Sequence, residues 1–163
     1  MKISTKNICM FGVAIALWVV ISSFLHIPIG INNLWIDAGY IVYGMMLALF
    51  GIPAAIIGVF GVLLENLLFT GWISYSWMAG QLVIGLVCGF IFKKFKNQWL
   101  AIAAIILSTW IGIGLVKTII EVALGYGVFP MKIVSNSIAS VLDMVPLVIG
   151  YYVAKIPAIK KFC

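Results

Sequence analysis

Six long apolar stretches, separated by short polar segments, fill almost all of a chain of 163 residues. A helix needs about 20 apolar residues to cross the hydrocarbon core of a bilayer, and a helix satisfies its own backbone polar groups inside lipid. The candidate spans lie near residues 8–25, 36–50, 54–69, 73–92, 99–124 and 133–153. The sequence therefore predicts an all-α membrane protein whose six transmembrane helices form a single domain over residues 1–163.

The basic residues indicate how this bundle is oriented. All 10 are lysines. With the N-terminus inside, Lys117 falls within a span, Lys132 alone falls outside, and the other lysines fall in cytoplasmic segments. Because cytoplasmic loops collect Lys and Arg, we expect both termini to be cytoplasmic. Topology then explains the net charge of +6, and no basic and aromatic strip indicates nucleic-acid binding.

Several kinds of chemistry are excluded by missing motifs. The sequence contains no GxxxxGK[ST] loop for ATP and no HExxH or GxSxG motif for hydrolysis. His26 is the only histidine, and Cys9, Cys88 and Cys163 show no CxxC spacing. We therefore expect neither an enzyme nor a metal site or other cofactor.

Polar residues inside the spans are the first candidates for function, because a buried charge is costly in a bilayer and marks a functional site by default. Grouped by span, they are Glu65 and Asn66; Trp110, Lys117 and Glu121 on one helical face; and Asn136, Ser140 and Asp143 on another. Lys117 and Glu121 can instead form a structural pair at i, i+4. Asp143 either pairs with Lys117, stays protonated or meets a ligand.

Aromatic residues gather where the fourth span begins. Trp72, Tyr75 and Trp77 are expected at the outer surface, and Trp77 and Gln81 belong to a polar stripe along the helix that also includes Ser74 and Gly85. An aromatic belt at the membrane interface accounts for such residues, and so does the mouth of a cavity that stacks its rings on a flat ligand. At the first outer loop, Asp37 either caps the second span or belongs to a lid.

A small-xxx-small pair, Gly12 and Ala16, lets another helix approach the first span closely. Further segments follow in a characteristic order: Phe50–Gly58, Glu65-Asn66, Trp72–Trp77, Gly85–Phe90 before a basic turn, Ser135–Ile138 and Pro146. Over nearly its full length the chain resembles the S components of energy-coupling factor (ECF) transporters, which are small six-helix vitamin-binding proteins. It is most similar to their riboflavin-type branch.

The resemblance implies a multi-pass protein of a prokaryotic cell membrane that binds its solute from outside. The pocket would lie in the outer halves of helices four to six and the first and third outer loops. The implied partners are a transmembrane coupling protein and two cytoplasmic ATPases, and toppling of the S component would deliver the solute. Gly12 and Ala16 would form the docking surface. The family often has alanine at both positions, and glycine packs at least as closely.

The charge balance bears on the ligand. Three acids, Glu65, Glu121 and Asp143, accompany one lysine in the predicted bundle, which favours a ligand with N–H donors or positive charge. The preferred candidates are amino-bearing heteroaromatics such as a thiamine-type pyrimidine or a queuine-type deazaguanine, followed by riboflavin and then by pantothenate or biotin. A stand-alone carrier or channel and a membrane scaffold without a ligand remain as alternatives.

Overall fold

Helices dominate the computed structural model, which describes residues 5–28 and 35–162. In chain order, its elements are α1 (Thr5–Phe24), β1 (His26–Pro28), β2 (Trp35–Asp37), α2 (Gly39–Phe50), a 3-10 turn (Ile52–Ala54), α3 (Ala55–Phe69), α4 (Tyr75–Lys94), α5 (Gln98–Thr109), a π-helical segment (Trp110–Lys117), α6 (Thr118–Ala123), α7 (Phe129–Val153) and α8 (Pro157–Phe162).

The prediction of an all-α membrane protein is confirmed. Within the described ranges, 5 helices are long and apolar enough to cross a membrane, with the 3-10 turn joined to α3 and α5 running through to α6. The remaining apolar helix, α2, has 12 residues. Strands β1 and β2 pair antiparallel with His26 opposite Asp37. These two strands form a β-ribbon, and we call the end of the bundle at which it lies the ribbon end.

Several predicted boundaries shift for identifiable reasons. The second span was expected from residue 36, but Ile36 and Asp37 belong to β2, and α2 begins only at Gly39. The predicted loop over residues 125–130 ends early, because Pro130 lies in the first turn of α7, where a missing N–H is tolerated. Helix α8 was not predicted. Most of the predicted first outer loop, residues 29–34, lies outside the described residues.

The predicted turn between the second and third spans is present. Gly51 adopts a φ of 68°, a left-handed conformation that favours glycine, and Pro53 follows it in the 3-10 turn. The turn packs closely against Gly89 of α4. No side chain fits at Gly89, because an added Cβ would collide with the backbone of Ile52. Helices α2, α3 and α4 are thereby held together at the end of the bundle opposite the ribbon.

Glycines allow two helix pairs to touch through their backbones. A Cβ on Gly44 of α2 would collide with the Leu147 carbonyl oxygen of α7, and one on Gly150 of α7 would collide with the Ile41 carbonyl oxygen of α2. Gly80 of α4 and Gly112 of the π-helical segment approach each other in the same way. Small residues at such crossings are typical of membrane helices.

Replacing Gly150 with alanine is expected to destabilise the protein by about 1–3 kcal/mol, because the added methyl group overpacks the α2–α7 crossing. The measurement is the melting temperature of the purified protein. Gly12→Ala is the control, since a Cβ built there has nothing within 4 Å, and alanine favours an exposed helix by about 1 kcal/mol. Equal melting temperatures for the two variants would contradict the close crossing.

Candidate functional site

A cavity of about 70 Å³ lies at the ribbon end of the bundle. Its lining combines two carboxylates, one amide, two aromatic rings and one aliphatic side chain. The lining residues are Asp37, Tyr40, Val62, Glu65, Asn66 and Trp77. They come from β2, α2, α3 and α4, so the cavity forms only when four separate elements pack together.

Helix α1 holds both cavity carboxylates in place, although it contributes no lining residue. The Trp18 indole N–H donates to Glu65 Oε2 over 2.9 Å, and the Ser22 hydroxyl donates to Asp37 Oδ1 over 2.6 Å. The Gly39 backbone N–H also donates to Asp37 Oδ1, over 2.7 Å. Asp37 therefore stabilises the start of α2, one of the two roles considered for it, and at the same time presents a carboxylate to the cavity.

A second polar network lies beside the cavity and is buried more deeply. The side-chain amide of Gln81 donates to the Tyr40 hydroxyl, and Tyr40 is hydrogen-bonded to Asp143. Tyr43 donates to the backbone carbonyl oxygen of Gln81 over 2.7 Å. The Gln81 side-chain oxygen has no hydrogen-bond partner among the described residues, although it is fully buried. Buried polar side-chain atoms normally have a hydrogen-bond partner, so this oxygen remains available as an acceptor.

Lys117 belongs to a different cluster, in which it pairs with one carboxylate and donates to one amide oxygen. Its Nζ lies 2.9 Å from Glu121 Oε1 and donates to Asn136 Oδ1. The Asn136 amide in turn donates to Glu121 Oε2 over 3.2 Å and to Thr118 Oγ1 over 2.9 Å. Lys132 completes the cluster with its Nζ 3.2 Å from Glu121 Oε2. The predicted pairing of Lys117 with Glu121 is thus present, and Asp143 is paired with Tyr40 instead.

Trp77 connects the acidic cavity with the lysine cluster. Its ring lines the cavity, and Lys117 Nζ lies 4.4 Å from the ring centroid. A cation at that distance from an aromatic ring is attracted by the ring quadrupole. The same indole therefore lines the cavity together with Asp37 and Glu65 and interacts with the buried lysine. Lys117 itself is close to the cavity but outside its lining.

Of the predicted site residues, Glu65, Asn66 and Trp77 line the cavity. Three predicted aromatic residues lie away from the lining and are exposed. Trp72 is 77% exposed, Tyr75 is 63% exposed and Trp110 is 40% exposed. Trp110 was expected on the face of Lys117 and Glu121, but the intervening π-helical segment holds more residues per turn than an α-helix and moves it off that face. Ser140 is buried and donates to the Ser137 carbonyl oxygen of its own helix over 2.7 Å.

The predicted polar residues lie in or beside the polar clusters; they are Asn66, Gln81, Asn136 and Asp143. Their roles in ligand binding remain predictions. Tyr40, Trp18 and Ser22 are additions from the structure. The sequence does contain a pattern that could have indicated Trp18 and Ser22. They are four residues apart and therefore share one face of α1. Among the described residues, no group of three or more His, Cys, Asp or Glu side chains could hold a metal ion.

The opposite face of α1 is open. Gly12 and Ala16 are exposed, and grooves of about 380 Å³ and 410 Å³ flank the helix. The first lies against α2 and includes Met10, Leu17 and Met45; the second lies against α3 and includes Gly12 and Phe60. Helix α1 thus faces a polar cavity with one side and presents small residues between two apolar grooves with the other.

A family profile described as the S component of the ECF-type riboflavin transporter matches residues 2–159. The chain belongs to this family. The resemblance inferred from the sequence segments is therefore confirmed. In this S component, the cavity at the ribbon end and the open face of α1 are the two surfaces that require a functional explanation.

Curated relatives match part of this S component. A UPF0397 protein of Enterococcus faecalis is 31% identical over 98 residues, which cover 60% of the chain and 54% of that protein. A UPF0397 protein of Clostridium perfringens is 33% identical over 92 residues, covering 55% of the chain and 49% of that protein. The chain spans about half the length of the curated relatives it matches.

Proposed function

We propose that this chain is the substrate-binding subunit of an ECF transporter and takes up a vitamin or vitamin-like small molecule. Its partners are a transmembrane coupling protein and the two cytoplasmic ATPases of an ECF module. The observation that carries the proposal is the cavity with two carboxylates and an aromatic wall, in a chain that matches the S-component family over residues 2–159. A scaffold protein without a ligand has no need for such a cavity.

The lysines support six spans with both termini in the cytoplasm of a prokaryotic cell. Lys93, Lys94 and Lys155 lie at the end of the bundle opposite the ribbon, as expected for a cytoplasmic rim. The 12 residues of α2 rise about 18 Å as a helix, and the extended residues of β2 lengthen this segment. In this orientation the ribbon end, with its cavity, faces the outside.

The lining favours an amino-bearing heteroaromatic ligand, such as a thiamine-type pyrimidine or a queuine-type deazaguanine. Carboxylates at Asp37 and Glu65 accept hydrogen bonds from adjacent N–H groups, and charge-assisted bonds of this kind are the strong ones. The rings of Trp77 and Tyr40 provide apolar surfaces for a flat ligand. Lys117 is engaged by Glu121 and Asn136, so an anionic vitamin would have to compete for it.

Riboflavin is the second candidate, because the description of the matching family names it. The size of the ligand discriminates between riboflavin and the smaller amino-bearing heteroaromatics. The cavity measures about 70 Å³, whereas pockets for small molecules usually occupy roughly 300–1,000 Å³. The lining must therefore widen for either ligand, and a single substituted ring or a fused bicyclic base requires less widening than a tricyclic flavin with its ribityl chain.

A thermal-shift screen of the purified protein tests the function and the ligand class together. The panel contains thiamine and its pyrimidine precursor, queuine-type bases, riboflavin, pantothenate and biotin. A ligand that binds only the folded state at 100 times its Kd stabilises it by about 2.7 kcal/mol. We expect a thiamine-type pyrimidine or a deazaguanine base to raise the melting temperature most.

The possible outcomes separate the candidates. A shift with riboflavin alone would identify the second candidate, and shifts with only the anionic vitamins would refute the role assigned to Asp37 and Glu65. Uptake of the identified ligand must also depend on the ATPases of the module. Uptake that continues without them would indicate a stand-alone carrier.

A further inference from the structure

We propose that α1 couples the state of the cavity to the docking face through Trp18 and Ser22, which act as positioning residues for the Glu65 and Asp37 carboxylates. This inference rests on the proposed function, because it assumes that the cavity binds the substrate. It also takes the exposed face of α1 around Gly12 and Ala16 as the docking face for the coupling protein, as the family resemblance implies. It adds a physical connection between those two surfaces.

The connection begins with how α1 is attached. The side chains that α1 buries are Phe11, Ala14, Trp18 and Ser22. The two polar ones each donate to a carboxylate that lines the cavity, Trp18 to Glu65 over 2.9 Å and Ser22 to Asp37 over 2.6 Å. A ligand whose N–H groups bind these carboxylates therefore acts on the same groups that hold α1 against β2 and α3.

Trp18 is also tightly packed against α2 and α3. It is fully buried, and its ring centroid lies 5.1 Å from that of Tyr40 and 5.4 Å from that of Tyr43. A Cβ added to Gly39 of α2 or Gly61 of α3 would come within 2.8 Å of the indole. Because the ring fills its space so closely, a shift of the Glu65 carboxylate is transmitted to the backbone of α1 rather than absorbed by a loose side chain.

The docking face lies near Trp18 along the helix. Gly12 is six residues from Trp18, which corresponds to about 9 Å along a helix. Helix α1 is continuous from Thr5 to Phe24, so a small rotation or translation imposed at Trp18 reaches Gly12 and Ala16. Any effect of the ligand on docking must have an equal reciprocal effect of docking on ligand affinity.

The test is a double-mutant cycle on docking that needs no ligand. The unmodified chain, W18F, E65A and the double variant are placed in nanodiscs, and the Kd for the detergent-purified ECF module of the same organism is measured. We expect E65A to change this Kd about fivefold or more, the lower end of typical allosteric coupling, although Glu65 lies on the cavity and not on the docking face. The double variant should resemble W18F alone, because the connection is already broken.

A second pair of variants guards against simple unfolding. S22A removes the hydroxyl that donates to Asp37, whereas the control S23A removes one that donates to the Val19 carbonyl oxygen within α1. The melting temperature of every variant is measured beside its Kd. Within this pair, S22A should alter docking and S23A should not. The proposal is overturned if E65A leaves the Kd unchanged, if W18F and E65A act independently, or if S22A and S23A behave alike. Failure of the unmodified chain to bind the module would instead contradict the proposed function itself.

Discussion

Replacing Ala16 with tryptophan is expected to abolish uptake by cells while the purified protein still binds its ligand. Small residues allow a second helix to approach α1 closely, and an indole at this position holds it away. The cavity is unaffected, because Ala16 is exposed on the face of α1 opposite Trp18 and Ser22. Gly12→Trp should behave in the same way. The measurements are uptake of the labelled ligand identified by thermal shift and its Kd for the purified variant.

The control for this experiment is Ala103→Trp, which places the same side chain on an exposed alanine of α5. It should insert into lipid and leave uptake at the unmodified level. If uptake and ligand binding fall together in Ala16→Trp, the docking role is wrong and the substitution has damaged the fold. If uptake persists in both Gly12→Trp and Ala16→Trp, the coupling protein meets another surface.

Removing the Glu65 carboxylate is expected to weaken ligand binding by about 10- to 100-fold, since hydrogen bonds to charged groups contribute about 1.5–3 kcal/mol. Glu65→Ala loses the bonds to the ligand and the acceptor for the Trp18 indole. Glu65→Gln keeps an acceptor for Trp18 but loses the charge. Isothermal titration of both variants with the identified ligand separates the contribution of the charge from that of the local structure.

Leu64→Ala is the matched control for Glu65→Ala. Leu64 precedes Glu65 on α3 and is 40% exposed, so its truncation changes the same helix without changing the cavity lining. An unchanged Kd in Glu65→Ala would remove Glu65 from the binding site. A loss of affinity in Glu65→Gln as large as that in Glu65→Ala would indicate that the ligand is recognised mainly through its positive charge.

The spans that carry clear boundary residues could be predicted from the sequence. The third span ends where α3 ends, at Phe69, before a glycine with positive φ, and the lysines after the fourth span mark the end of α4. The Lys117–Glu121 pair follows from i, i+4 spacing alone. These features are local, so neighbouring residues are sufficient to define them.

The connection between α1 and the cavity could not be predicted in this way. Residues 8–21 of α1 carry no hydrophilic side chain, so periodicity does not reveal which side of this run faces the protein and which faces lipid. Trp18 meets Glu65, 47 residues further along the chain, and only the packing of α1 on α3 decides that contact. Tyr40 was likewise hidden, because an aromatic residue at the start of an apolar helix is typical of a membrane interface.

The π-helical segment at Trp110–Lys117 has a consequence for comparing this chain with homologues. Each of its turns closes a longer hydrogen-bonded ring than an α-helical turn does, so it takes up extra residues inside a span whose two ends are fixed by the bilayer. A homologue that lacks one residue here can return to a regular α-helix and still place the counterparts of Thr109 and Thr118 where they are. Single-residue gaps in alignments are therefore expected within this span, although gaps normally fall in loops.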